Sequence, residues 1–271
     1  MTPVVSRSNV AGIDVVLAEP PNASDQTQTV LCLHGIGGDD SSFKPQLDVL
    51  SVQHRVVVWN MPGYRSSAPL EQLSFPALCS AVVALVDALE FGPVHLLGHS
   101  IGGMIAQEVA IEQADQVKSA ILLATTPAFG GKDDRFKTDF LNARLKPLNE
   151  GVSMADIAER AIPEIVGPHI TAVELETATR AMANIHADVY RQVLNCLVTF
   201  NRRNDLPKIT CPVCLIAGEI DTNAPATTMR KMADKLGSAE FHEVKGAGHL
   251  VNLERSDEVN NVILRFLNLQ T

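Results

Sequence analysis

Three residues of this chain could together activate a nucleophile. Ser100 lies in Gly98-His99-Ser100-Ile101-Gly102, Asp221 in Gly218-Glu219-Ile220-Asp221, and His249 in Lys245-Gly246-Ala247-Gly248-His249. A serine hydroxyl is a weak nucleophile at neutral pH. A neutral imidazole beside it can take its proton and later hand that proton to a leaving group. A carboxylate on the far ring nitrogen fixes the tautomer and stabilises the imidazolium. The G-x-S-x-G pattern is the nucleophile elbow, a sharp strand-to-helix turn whose partners follow in the order serine, acid, histidine. Asp221 and His249 follow in that order. Glu219 is the alternative acid; it stands two residues nearer the end of its strand and ranks below Asp221.

Two other readings of the glycine cluster fail on spacing. A dinucleotide fingerprint needs G-x-G-x-x-G, and aligned on Gly98 its second glycine position holds Ser100. A phosphate-binding P-loop needs Gly-Lys-Ser/Thr after its glycines, and none follows. A plain turn with a capping serine would leave Asp221 and His249 unexplained. Attack on a carbonyl also develops negative charge on oxygen. The elbow pattern takes one N–H donor from the residue after the nucleophile, here Ile101, and one from the loop after an earlier strand. His34-Gly35-Ile36-Gly37-Gly38 supplies that loop, with the Ile36 N–H as the expected donor.

These residues need a frame. Short apolar runs at Ile13–Leu17, Thr29–Leu33, His54–Trp59, Pro93–Leu97, Ser119–Ala124, Pro212–Ala217 and Ala239–Val244 read as strands. Helical patterns separate most of them. One is capped by Ser74 with Pro76 in its first turn; another carries Ile101, Met104, Ile105, Val109 and Ala110; the last carries Val259, Val262, Ile263, Phe266 and Leu267, with Ser256 as its expected cap. Near-continuous apolar strands alternating with helices predict an α/β fold with a mostly parallel sheet covered on both faces. From Pro127 to about Arg203 no strand is legible. That stretch reads as short helices broken by Pro147, Gly151, Pro163 and Gly167-Pro168. The expected organisation is a core of residues 1–126 and 205–271 interrupted by a helical insertion, 127–204.

Composition narrows the partners. The 271 residues are 46% apolar, enough for a large core, and the net charge of -9 without a Lys/Arg cluster argues against nucleic acid. No apolar run reaches the roughly 20 residues that span a bilayer, and the N-terminus lacks a secretory pattern. Five cysteines, mostly in apolar runs, fit reduced thiols and a cytoplasmic location. Cys211-Pro-Val-Cys214 lacks a second ligand pair, so no metal is expected, and no cofactor either. His34 is expected to support its loop, and His99 to position or pack. His54, His95 and His242 are expected to be structural, while His169 and His186 could face either a substrate or solvent. The sequence leaves both a monomer and a homo-oligomer open.

Taken together, His34-Gly-Ile-Gly-Gly38, Gly98-His-Ser-Ile-Gly102, Gly218-Glu-Ile-Asp221 and Gly248-His249 resemble the α/β-hydrolase superfamily across the whole chain. The resemblance implies a cap where the insertion falls, between the fifth and sixth of the strands named above. Gly98-His-Ser-Ile-Gly-Gly-Met-Ile-Ala-Gln107 and Gly248-His-Leu-Val-Asn-Leu-Glu254 look like the β-ketoadipate enol-lactonase and carboxylesterase branch. It implies a serine hydrolase acting on a small carboxylic ester or lactone through an acyl-enzyme. The alternatives are a carbon–carbon hydrolase of meta-cleavage products, which often has Trp where this chain has Leu250, and a small-molecule receptor on the same fold. Ser100 stands where epoxide hydrolases and haloalkane dehalogenases carry Asp. Two further departures are Asn60, commonly Asp, and Arg65, commonly Gly. Arg144, Arg160, Arg180 and Arg191 of the insertion are candidate anchors for an acidic substrate.

Overall fold

In the computed structural model, which describes residues 2–130 and 134–270, eight strands form one sheet. They are β1 (Val4–Val10), β2 (Ile13–Glu19), β3 (Thr29–Leu33), β4 (Arg55–Trp59), β5 (Val94–His99), β6 (Val117–Leu123), β7 (Val213–Gly218) and β8 (Glu240–Val244). The order is β1-β2-β4-β3-β5-β6-β7-β8; β2 runs antiparallel to β1 and β4, and the remaining pairs are parallel. Strand β1 was not legible. Its sequence, Val-Val-Ser-Arg-Ser-Asn-Val, is exposed almost throughout, so it lacks the apolar run that marks the others. It belongs to the sheet through pairing with β2 rather than through burial.

The described helices are α1 (Lys44–Leu50), α2 (Phe75–Leu89), α3 (Ile101–Glu112), α4 (Asp134–Asn149), α5 (Met154–Ile165), α6 (Ala172–Ala183), α7 (Ala187–Leu197), α8 (Ala226–Leu236), α9 (Val251–Glu254) and α10 (Ser256–Asn268). Alternate strand residues feed two cores, as the two-residue period of a strand requires. Leu31, Leu33, Val57, Trp59, Leu96, Val213 and Leu215 join α2, α3 and α8 on one face. Val30, Cys32, Val56, Val58, Leu97, Cys214 and Ile216 join α1 and α10 on the other. Helix α3 is buried nearly all round, Gln107 and Glu108 included. Glu108 is neutralised there by a two-pronged pair with Arg202, Nε–Oε2 2.7 Å and Nη2–Oε1 2.5 Å.

Helices α4 to α7 lie between β6 and β7. Residues 131–133 of that stretch, Met1 and Thr271 lie outside the described residues. The stretch leaves and re-enters the core at one place, where Phe129 N–H donates to Phe200 O (2.9 Å) and Arg202 N–H to Pro127 O (2.8 Å). Three local expectations are corrected. Pro147 and Pro163 do not break helices at their own positions; each is the third residue from a helix end, so the helix forfeits the bond of that proline and stops within a turn. Ser256 is the first residue of α10 and not its cap, because α9 ends one residue before Arg255, which holds the cap position. Ser74 does cap α2, its Oγ accepting from Ala77 N–H. Among the described residues no helix is long and apolar enough to cross a membrane.

Candidate active site

Strand β5 runs straight into α3, and the single residue between them is Ser100. Its φ is 54° and ψ −119°, a left-handed conformation that costs a non-glycine residue roughly 1–3 kcal/mol. The flanking glycines make the turn sterically feasible. A Cβ on Gly102 would stand 2.0 Å from the Leu33 carbonyl oxygen, and one on Gly98 2.5 Å from that of Gly102. The turn is held by Ser100 N–H on Leu123 O (3.0 Å) and by the Thr125 hydroxyl on Ser100 O (2.7 Å).

The ends of β7 and β8 deliver the other two residues. His249 Nδ1 donates to Asp221 Oδ2 at 2.8 Å, and Ser100 Oγ donates to His249 Nε2 at 3.0 Å. The second Asp221 oxygen accepts from Asn223 N–H (2.8 Å) and Ala224 N–H (3.1 Å). Burial alone would raise the Asp221 carboxyl; the His249 ring and these two N–H groups outweigh it and hold the carboxyl below its usual range. Glu219 goes elsewhere. It is engaged with Lys245 Nζ (2.7 Å) and Gly246 N–H (2.9 Å).

The glycine loop after β3 faces the same serine, Ile36 and Gly37 lining a cavity with Ser100 and His249. Gly35 O accepts from His34 Nδ1 (2.8 Å) and Gly38 N–H (3.0 Å). Because a trans peptide points its C=O and N–H in opposite directions, these bonds fix the direction of the Ile36 N–H as well. His34 Nε2 accepts from Met61 N–H (3.0 Å), and Tyr64 Oη donates to Ile36 O (2.8 Å). Burial keeps His34 neutral by pushing its pKa down, as this donor–acceptor arrangement requires. Ile101 is the first residue of α3, so its N–H has no acceptor within the helix.

Sequence reasoning missed the residues that hold the His249 loop. Glu254 accepts from Gly248 N–H (2.8 Å), Leu250 N–H (3.1 Å) and Gly167 N–H (2.7 Å), gripping both sides of His249 and the insertion at once. Burial pushes this carboxyl up in spite of the three donors. His249 N–H donates to Ile165 O (2.7 Å), and His99 Nε2 donates to His249 O (2.8 Å). The signal for Glu254 was in the quoted stretch Gly248–Glu254, but no spacing rule links a glutamate to backbone groups on another segment.

The two departures also find partners. Asn60 Nδ2 donates to Asp14 Oδ2 (2.9 Å) and Asp40 Oδ1 (3.1 Å), while its Oδ1 accepts from Asp40 N–H (3.0 Å). A carboxylate at position 60 would stand between two others. Arg65 adopts φ 49° and pairs with Asp39 Oδ2 at 2.5 Å, beside the glycine loop.

The cavity over Ser100 measures about 670 Å³ and is walled mainly by apolar side chains, among them Phe129 ahead of α4, Phe140 of α4, Ile162 of α5 and Leu194 of α7. A second pocket of about 60 Å³ adjoins Ser100 on the side of Gly38, Ser42 and Leu250. Of the insertion's arginines Arg144 lines the larger cavity. Arg160 and Arg180 are exposed, and Arg191 bonds to Asn149 Oδ1 (2.5 Å). His169 and His186 are exposed and line neither cavity. Among the described residues, three metal-ligand residue types come within 4.8 Å of one another only at Cys214, Glu240 and His242 on β7 and β8. Burial pushes the Cys214 thiol up to about 12, which opposes the thiolate that a metal takes.

Residues 30–262 match the Alpha/beta hydrolase family. The chain belongs to that family. Among curated relatives it is 24% identical over 249 residues to a karrikin insensitive 2 receptor (IA) of Petunia hybrida, covering 89% of this chain and 90% of that one. Among solved structures it superposes on an enol-lactonase of Burkholderia xenovorans LB400 with TM-score 0.84 at 22% identity, covering 97% of this chain and 100% of that one. A thermophilic esterase of Thermogutta terrifontis gives TM-score 0.84 at 21% identity, with 98% and 99% coverage. These likenesses to solved structures establish the shared α/β-hydrolase fold.

Proposed function

We propose that this α/β hydrolase cleaves a small carboxylic ester or lactone through an acyl-enzyme on Ser100. The observation that carries the reading is the continuous Ser100–His249–Asp221 hydrogen-bond chain at 3.0 and 2.8 Å, ending on a serine in a left-handed turn. Ser100 Oγ adds to the substrate carbonyl carbon as its proton passes to His249 Nε2. The carbonyl oxygen becomes an oxyanion against the Ile36 and Ile101 N–H groups, and Asp221 balances the imidazolium. Collapse breaks the carbon–oxygen bond to the leaving group, which takes the proton from His249. Water then adds to the acyl-enzyme with His249 as base, releasing the acid and restoring Ser100. In a lactone the departing oxygen stays tethered, so the product is a hydroxy acid.

Residues 127–204 act in this reading as a cap that shapes the substrate chamber. The two cavities meeting at Ser100 suit an ester with one large arm, in about 670 Å³, and one small arm, in about 60 Å³. The test is steady-state turnover of methyl and acetyl esters and of lactones, with mass-spectrometric detection of an acyl or phosphonyl adduct on Ser100. Repeated turnover that vanishes in Ser100→Ala supports the reading. A single slow burst with a shape change would favour a receptor, and preferential cleavage of a vinylogous diketone acid would favour carbon–carbon hydrolysis.

A further inference from the structure

The chamber walls contain one feature that ester cleavage does not require. Arg144, on α4, brings a guanidinium into an otherwise largely apolar enclosure. It is stacked on the Phe140 ring at 3.8 Å and half-buried. Among the described residues it makes no ion pair or hydrogen bond. The acidic groups near it are engaged elsewhere or do not pair with it; Glu164 acts on it electrostatically from the surface. Asp139, on the chamber rim, pairs with Arg135 at 3.6 Å and is mostly exposed, and Glu164 is exposed on α5. Facing Arg144 from α7 is Tyr190, buried, whose hydroxyl lies within its electrostatic reach. Burial lowers the Arg144 pKa from its ordinary value, outweighing the opposing influence of Tyr190 and Glu164.

A desolvated cation without a partner is costly, and bound anions relieve that cost. The chain's net charge of -9 also repels anions at long range, so a chamber admitting one needs a local cation. Stacking on Phe140 holds the guanidinium in place, and its N–H groups suit the two-pronged bond that carboxylates accept. Arg144 stands on the large-arm side of Ser100, since it lines the 670 Å³ chamber and not the small pocket.

We infer that the large arm of the substrate carries a carboxylate, which Arg144 binds inside the chamber: the substrate class is a monoester of a dicarboxylic acid, an acyloxy acid or a carboxylated lactone. This rests on the ester-or-lactone reading and adds a residue that sets specificity. Arg144 acts in binding and stays away from the reacting atoms.

The experiment measures kcat/KM for monomethyl esters of C4 to C10 dicarboxylic acids and for ω-acetoxy acids. Each is compared with its neutral counterpart, the dimethyl ester or the methyl ester of the acetoxy acid. The wild-type enzyme is expected to prefer the carboxylated member at one or more chain lengths. Arg144→Met lowers that preference about 10- to 100-fold, the scale of a hydrogen bond to a charged group, mainly through KM. Arg144→Lys recovers part of it, and Arg180→Met, exposed and outside the chamber, leaves it as it was. Equal turnover of both members by the wild type, or an unchanged preference in Arg144→Met, overturns the proposal while the esterase reading stands. If no ester or lactone is turned over, the esterase reading fails, and the anion site is decided by calorimetry on Ser100→Ala. Binding of adipate or suberate that weakens at least tenfold in the Ser100→Ala/Arg144→Met double variant upholds the site, and absence of binding overturns it.

Discussion

The two walls around Ser100 are built on different principles. The sheet-side wall consists of loops fixed by backbone hydrogen bonds: Gly35 O held from two sides, Ser100 N–H and C=O both engaged, and Glu254 gripping three N–H groups. The insertion-side wall consists mainly of side chains on four helices, mostly apolar, with one cation among the described residues. Backbone geometry constrains what the first wall can do, and the proposed function puts the reaction there. The second wall can change its side chains without disturbing a single loop bond, and the proposed function puts selectivity there. The walls meet where Ile165 and Gly167 bond to the His249 loop.

That division predicts that sheet-side changes act on kcat and insertion-side changes on KM. The largest effect belongs to Ser100→Ala, which should cut kcat by about 10⁶-fold; Asp221→Asn should cut it by about 10⁴-fold through the wrong His249 tautomer, both read by initial rates. An Arg144 variant showing a comparable kcat loss with unchanged KM would break the comparison. Next in size is Gly102→Ala. Its methyl group would collide with the Leu33 carbonyl oxygen at 2.0 Å, and urea unfolding should show a loss of more than about 3 kcal/mol.

Glu254→Gln sharpens the comparison at the seam. Its amide nitrogen cannot accept the N–H groups of Gly248 and Gly167 that now meet a single oxygen. The expected cost is about 2 kcal/mol, with kcat falling on the order of tenfold as His249 loosens. An unchanged kcat alongside the stability loss would confine Glu254 to a structural role.

Buried imidazoles give the sheet-side half a pH dependence. Burial holds His95 down to about 4 and His99 to about 3, and pushes His34 and His54 the same way. An unfolded histidine takes its proton near pH 6.5. Between about pH 6.5 and 4 the unfolded chain therefore binds more protons, and stability falls as the pH is lowered through that window. Urea midpoints at pH 7 and 4.5 should differ, and His95→Gln should reduce the difference. The smallest effect is expected for Arg65→Gly. Relief of a left-handed residue, about 1 kcal/mol, is set against loss of the Asp39 pair, so the melting temperature should move by only a few degrees.

Much of this was legible in the sequence, and the misses have physical causes. Strands β3 to β7 announce themselves because burial on both faces demands near-continuous apolar runs, whereas β1 and its exposed residues carry no such demand. The order Ser100, Asp221, His249 was readable because each residue ends or follows a strand. Ser256 was misread because a serine before an apolar stripe resembles a cap whether or not another helix precedes it. Pro147 and Pro163 were misread as breaks because their distance from a helix end is invisible until the helix is seen.

What the sequence alone determined is the part governed by steric necessity within a few residues. A serine held at φ 54° needs small neighbours, so Gly98 and Gly102 record the turn in the chain itself. Only the tertiary structure decided which arginine enters the chamber, why Arg65 is tolerated beside Asp39, and that Glu254 ties His249 to the insertion. Those facts depend on how helices turn against partners dozens of residues away. A one-residue rotation of α4 would move Arg144 by about 100° around the helix axis with no change in the sequence pattern.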